Sequence, residues 1–231
     1  MIALYANLGY NREVKRMRNQ KINLLPEIQN RSSVLLYEED REIEPEKLAA
    51  VMEAARLAPS ARNLQPWRYI VVQEKTQRDR MVKAMNAVNF WASSAPCLIT
   101  LISHPPLGYT GEGKCYYLYD CGLSVMSLVI EAQHQELKCR QIAAFEENKI
   151  RGILAIPADW QVIVVVAIGY QGDLEREKPH LLKRWGIEAY SRVESRLLNS
   201  RTRKTMEEIV SYGKFNNQDT RNKNQTNSKS Q

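Results

Sequence analysis

Apolar and polar positions alternate with different periods along this chain, and the period marks the elements. Leu48, Val51, Met52 and Ala55 recur at the spacing of one helix face. They predict a helix over 44 to 57, with Pro45 suited to the first helical position and Glu44 and Glu46 at the positive end of its dipole. Pro59 stops it. The run Tyr69-Ile70-Val71-Val72 predicts a buried strand, Gln77 to Ala87 a polar helix, and Cys97 to Ser103 a second strand. Tyr116 to Gln135 is apolar nearly all round, which predicts a long central helix. An extended piece near Leu137 to Ala144 precedes a helix over 146 to 155. Gln161 to Ile168 is the strongest strand pattern and is expected to be fully buried. Residues 173 to 198 are charged and partly helical in pattern. Helices and strands interleave at irregular spacing, which favours α+β over a doubly wound sheet.

Two connections stand out. Arg56 to Trp67 packs two prolines, a serine, two primary amides and an indole between an apolar helix and an apolar strand, where a rigid scaffold can hold polar groups still. Trp67 itself reads as core packing. Residues 104 to 114 hold three glycines and two prolines and read as a mobile loop or lid; their G-x-x-G-x-G order is neither a dinucleotide fingerprint nor a phosphate loop.

Composition narrows the function classes. The formal charge is +7. Residues 1 to 22 carry Arg12, Lys15, Arg16, Arg18 and Lys21 against Glu13, and residues 214 to 231 carry Lys214, Arg221, Lys223 and Lys229 against Asp219, so the chain between is neutral. Charge held in two tails argues against a basic nucleic-acid groove. Cys97, Cys115, Cys121 and Cys139 form no C-x-x-C pair, and no secretory leader pattern opens the chain, so buried free thiols in a cytoplasmic protein are expected. The longest apolar stretch, Cys121 to Ile130, is about half of a membrane span. The expected organisation is a basic extension over 1 to 22, one domain over 23 to 215 and a polar tail over 216 to 231.

Hydrolytic and metal chemistry find no support. His104, His134 and His180 have no partner at ligand spacing, and Ser60 lacks the nucleophile elbow. Anion and amide recognition groups remain. Arg31 with Ser32 and Ser33 offers a guanidinium fork and two hydroxyls, a good phosphate grip, and Arg201, Arg203 and Lys204 offer another. Asn63 and Gln65 could read the hydrogen-bonding edge of a planar heterocycle.

The order of these motifs is telling. Arg-x-Ser at 31 to 33 is followed by Glu-Ala-Ala-Arg-Leu-Ala-Pro-Ser-Ala-Arg-Asn-Leu-Gln-Pro-Trp-Arg-Tyr-Ile-Val-Val at 53 to 72. Ala-Pro-Cys-Leu-Ile at 95 to 99, Asp120-Cys-Gly-Leu, Val-Ala-Ile-Gly-Tyr at 166 to 170 and Arg-x-Arg-Lys at 201 to 204 come next. In this order, over residues 24 to 215, the chain resembles the nitroreductase family.

The resemblance implies an α+β fold with a central, mostly antiparallel sheet flanked by helices, and a homodimer of interlocked subunits. It implies FMN in each interface cleft, reduced by NADH or NADPH and reoxidised by a nitroaromatic, quinone or similar small molecule in ping-pong fashion. No side chain would do acid–base work; the flavin carries the chemistry. Arg31, Ser32, Ser33, Arg201 and Arg203 would hold the phosphate. Pro59, Ser60, Ala61, Asn63 and Gln65 would line the flavin from the partner subunit, and Ala143 and Ala144 would place backbone amides near its N5. Three positions depart from the family's pattern: Leu35 where a cation is common, and Glu136 and Ala144 where glycines are common. They motivate an alternative, a flavin-binding protein with little turnover. The segment 173 to 198 would be an insertion.

Overall fold

The two most apolar runs of the sequence lie side by side at the centre of one sheet. In the computed structural model, which describes residues 22–198, 202–211 and 213–215, β1 (Trp67–Val72), β2 (Cys97–Ser103), β6 (Gln161–Gly169) and β5 (Lys138–Ile142) pair in the order β1-β2-β6-β5, every neighbour antiparallel. Cys97 stands opposite Ile168 and Ile99 opposite Val166, with a register shift between Leu101 and Ile102. All of β2 is buried. Between β2 and the long helix α4 (Tyr117–His134) a two-stranded ribbon intervenes, β3 (Thr110–Gly111) with β4 (Lys114–Cys115).

The chain forms two compact units, Met1–Val193 and Glu194–Gln231. The first holds the sheet, the short helix α1 (Pro26–Asn30), α2 (Pro45–Arg56), α3 (Lys75–Lys83), α4 and α5 (Glu147–Leu154). Helix α6 (Leu174–Leu198) runs through the 173–198 segment and is broken at Gly186, whose φ is 77°. The second unit contains the one-turn helix α7 (Met206–Ile209), opened by a capping box between Thr205 and Glu208. Residues 1–21 of the basic extension and the tail from 216 onward lie outside the described residues.

Period-two alternation explains the core. Cys97, Ile99 and Leu101 of β2 and Val166 and Ile168 of β6 pack with Val51 and Ala55 of α2 and with Val125, Leu128, Val129 and Ala132 of α4. Burying one such aliphatic side chain is worth about 1.5–3 kcal/mol. Trp67 joins this cluster at 5% exposure, the packing role expected of it.

Several expectations are corrected. Helix α4 is not central on all sides, since Leu118, Tyr119, Gly122 and Met126 are exposed along one stripe while the opposite face packs on the sheet. Strand β6 is not buried throughout: Gln161 is exposed, and Ile163 and Val164 are half-buried. The polar helix starts at Lys75 rather than Gln77, because the Glu74 carboxylate accepts the Thr76 and Gln77 amides and fixes the first turn there. It ends at Lys83, and a 3-10 segment, Ala87–Ser94, follows. Residues 104 to 114 are not a plain loop. Pro105–Leu107 form a 3-10 turn, and the rest builds most of the ribbon. Of the four free cysteines, Cys97, Cys121 and Cys139 are buried, but Cys115 on β4 is exposed. Burial pushes the Cys121 thiol up to about 11.

Two backbone positions show why their residues matter. A Cβ on Gly169 would lie 2.5 Å from Cδ of Pro96, so the Gly of Val-Ala-Ile-Gly-Tyr exists to admit the proline of Ala-Pro-Cys-Leu-Ile. Gly169→Ala should therefore destabilise the protein by about 1–3 kcal/mol in urea unfolding, the cost of overpacking. Glu136, just after α4, holds φ at 66°, a conformation that favours glycine. Glu136→Gly should raise stability by about 0.5–1 kcal/mol in the same assay, since its ion pair with Lys47 is long, 3.9 Å, and exposed on the glutamate side.

Candidate active site

The loop from Pro59 to Gln65 is an unusual piece of backbone. Ser60 is extended, a single 3-10 turn covers Ala61–Asn63, and Arg62, Asn63 and Gln65 have φ of 53°, 57° and 48°. Asparagine tolerates this left-handed region; arginine and glutamine do so at a cost of order 1 kcal/mol each. Short-range hydrogen bonds hold the shape. Ser60 Oγ accepts the Gln65 amide at 3.0 Å, and Gln65 Nε2 donates to both Asn63 O and Asn63 Oδ1 at 3.1 Å. The two amide side chains expected to read a ligand's edge thus also brace each other.

Long-range contacts fix the loop to the scaffold. The Ala61 amide donates to Asp120 Oδ1 near the start of α4 at 3.1 Å. One turn further along α4, Ser124 Oγ donates to Ala55 O at the end of α2, 2.7 Å, and pairs with Tyr69 Oη of β1 at 2.6 Å. Burial keeps the Tyr69 phenol well above its usual range. The Arg62 guanidinium lies 4.3 Å over the ring of Tyr109, which continues into Tyr116 and Tyr119 with centroid spacings of 5.7 and 6.4 Å. Asp120 was visible in the sequence only as part of a motif, and neither Ser124 nor Tyr109 was singled out there. A carboxylate in the first turn of an otherwise apolar helix was the available signal.

The Arg31–Ser33 segment follows α1 directly, with the Arg31 amide closing that helix on Glu27 O. Helix α1 is fixed to the far end of α4 by Glu27, whose carboxylate meets His134 Nδ1 at 2.9 Å. That hydrogen bond holds the Glu27 carboxyl below its usual range and raises His134. Arg31 and Ser33 are half-buried and Ser32 is exposed. Among the described residues, the Arg31 guanidinium and the two serine hydroxyls have no hydrogen-bond or ion-pair partner. The donors expected to grip a phosphate are therefore uncommitted among the described residues.

Leu35 resolves one of the sequence's departures. It is 1% exposed, within the buried run Val34 to Tyr37 that Tyr37 ties to β6 through Ala167 O. A cation at 35 would point into the interior in this backbone. Ala143 and Ala144 lie just past Ile142, the last paired residue of β5, at the edge of the sheet. Ala144 has no left-handed φ, so alanine is no handicap there, and its carbonyl accepts from the Asn86 amide and from Asn89 Nδ2. Arg203 is exposed in the second unit, and Arg201 lies outside the described residues.

Within the first unit the two sets of expected site residues are anchored at opposite ends of α4. Asp120 holds the loop at one end of α4 and His134 holds α1 at the other. Four helical turns, about 20 Å, separate these anchor points.

Comparison with known proteins agrees with the fold. The sequence model of the Nitroreductase family matches residues 28–96. A protein of Archaeoglobus fulgidus, provisionally named NADH dehydrogenase/NAD(P)H nitroreductase, is 26% identical over 150 residues, 63% of this chain and 84% of the relative. The crystal structure of a nitroreductase family protein from Clostridium difficile 630 superposes with a TM-score of 0.66 at 26% identity, covering 84% of this chain and all of that one. An oxidoreductase crystallised with FMN superposes with a TM-score of 0.68 at 22% identity, over 86% of this chain and 96% of its own. In its ordered motifs, its antiparallel sheet and these relatives the chain is similar to nitroreductase family proteins, and residues 28–96 carry the match to the family's sequence model.

Proposed function

We propose that this protein is an FMN-dependent oxidoreductase that passes electrons from NADH or NADPH to a nitroaromatic, quinone or similar small acceptor in a ping-pong cycle. The observation that carries the reading is the uncommitted donor set at Arg31, Ser32 and Ser33. A half-buried guanidinium beside two hydroxyls, without a partner among the described residues, suits the phosphate of a mononucleotide. The flavin, when bound, supplies hydride acceptance and electron release. The chain's own residues bind and orient it: Arg31, Ser32 and Ser33 at the phosphate, and the Pro59–Gln65 backbone with Asn63 and Gln65 as a wall beside the ring. The amides of Ala143 and Ala144 would face its N5.

The 20 Å separation along α4 supports assigning the wall and the grip of one site to different subunits. The exposed stripe of Leu118, Gly122 and Met126 on the same helix supplies an apolar face for that pairing. We therefore read the working form as a homodimer in which each cleft takes its wall from the partner subunit. Nothing in this reading calls on nucleic acid. Among the described residues no helix is long and apolar enough to cross a membrane.

Three outcomes are expected. Purified protein reconstituted with FMN should show flavin absorption that bleaches with NADH or NADPH and returns with a quinone. Protein that cannot be reconstituted would overturn the reading, and bound flavin that neither nicotinamide reduces would favour a flavin-binding protein with little turnover. Arg31→Ala should weaken FMN binding roughly 10- to 100-fold by flavin-fluorescence titration, as expected for a lost charge-assisted hydrogen bond. Leu118→Glu combined with Met126→Glu should shift the protein to monomer by light scattering and lose FMN with the dimer.

A further inference from the structure

Asp120 is 1% exposed, and its two oxygens have different fates. Oδ1 accepts the Ala61 amide at 3.1 Å, while Oδ2 is buried with no hydrogen-bond partner among the described residues. A buried carboxylate satisfied on one side only is a cost to the fold, and an apolar residue at the same place would avoid it. What the carboxylate gives in return is a charge-assisted acceptor for one particular amide, stronger than a neutral one. That amide opens the segment in which Arg62, Asn63 and Gln65 all take left-handed φ. Such conformations persist only where their surroundings over-determine them. Ser124, one turn on, grips Ala55 O, so α4 holds the chain on both sides of the Leu57–Ser60 corner.

We propose that Asp120 is a positioning residue for the flavin site, keeping the Pro59–Gln65 wall in its strained shape by anchoring the Ala61 amide to α4. This rests on the flavin reading above. Asp120 need not touch the flavin, and its effect passes through the loop backbone. The wall is then pre-formed, and binding spends nothing on ordering it.

The test uses the full chain with Asp120→Ala and Asp120→Asn. Asparagine keeps an oxygen acceptor of the same shape and removes the charge. Amide hydrogen exchange is read on the FMN-free protein, and FMN affinity is read separately by flavin fluorescence. Asp120→Ala should speed exchange of Ala61 to Gln65 by about 10- to 100-fold while β2 and β6 keep their protection, and should weaken FMN binding by a similar factor. Asp120→Asn should recover most of both, leaving a few-fold loss confined to the same five residues. Unchanged exchange at Ala61 in Asp120→Ala would overturn the proposal. So would faster exchange spread evenly over β2 and β6, which marks a purely structural role. If Asp120→Ala does not fold, Asp120→Asn decides: a local few-fold rise supports the proposal and no rise overturns it. Failure of the unaltered protein to bind FMN would remove the flavin reading, while the exchange measurement still decides whether Asp120 orders the loop.

Discussion

Helix α4 has to be apolar where it meets the sheet, yet it buries Asp120 and Ser124 on successive turns. Buried polar side chains are tolerated when their partners are in place, and these two draw theirs from elements distant in sequence. Ser124 joins the end of α2 to β1 through Ala55 O and Tyr69 Oη, and Asp120 takes the first amide of the turn between them. The position of the helix, the exit of α2, the entry of β1 and the loop joining them therefore form one mutually dependent unit. Displacing α4 would strand a carboxylate, a hydroxyl and a phenol together, so this corner is fixed more tightly than its loop composition suggests.

The same helix acts as a spacer. Its first turn carries the loop proposed as one wall, its last turn carries α1 and hence Arg31, and the exposed stripe of Leu118, Gly122 and Met126 faces away from the sheet. A rigid rod whose anchor points for the two proposed half-sites lie about 20 Å apart favours their being matched across two copies. On this reading the apolar stripe and the divided donor set are one feature: a face left unpaired among the described residues, and a proposed site that a second copy would complete.

What was legible in the sequence follows the range of the interactions that decide each element. Strand β2 was read to the residue, because seven consecutive apolar or small positions bounded by Pro96 and His104 allow little else. Helix α2 was read within a residue at each end from Pro45 and Pro59. The start of α3 was missed by two residues, since Glu74 acts as its cap and a glutamate is an uncommon residue in that role. The ribbon at 110–115 was read as a loop because it depends on packing among its own aromatic residues: a Cβ on Gly111 would sit 2.5 Å from Tyr109 Oη, and Tyr109 stacks toward Tyr116. The stretch 59–65 was visible as a polar connection, but its three left-handed residues were not, because none is a glycine and the anchor that permits them lies about 60 residues away.

Leu35 shows how a residue pattern can mislead about charge. Set beside the family it resembles, the chain lacks a cation two residues after Ser33, which suggests a weakened phosphate site. The backbone instead turns inward directly after Ser33, and Val34, Leu35, Leu36 and Tyr37 are all buried, with the Tyr37 amide on Ser94 Oγ and its hydroxyl on Ala167 O. A lysine or arginine at 35 would have to bury its charge beside this run or pull the segment from β6, and either costs several kcal/mol. The leucine is thus a consequence of how this chain enters its core. Within the first unit it leaves Arg31, beside the neighbouring hydroxyls, as a cation that would meet the phosphate in the proposed grip.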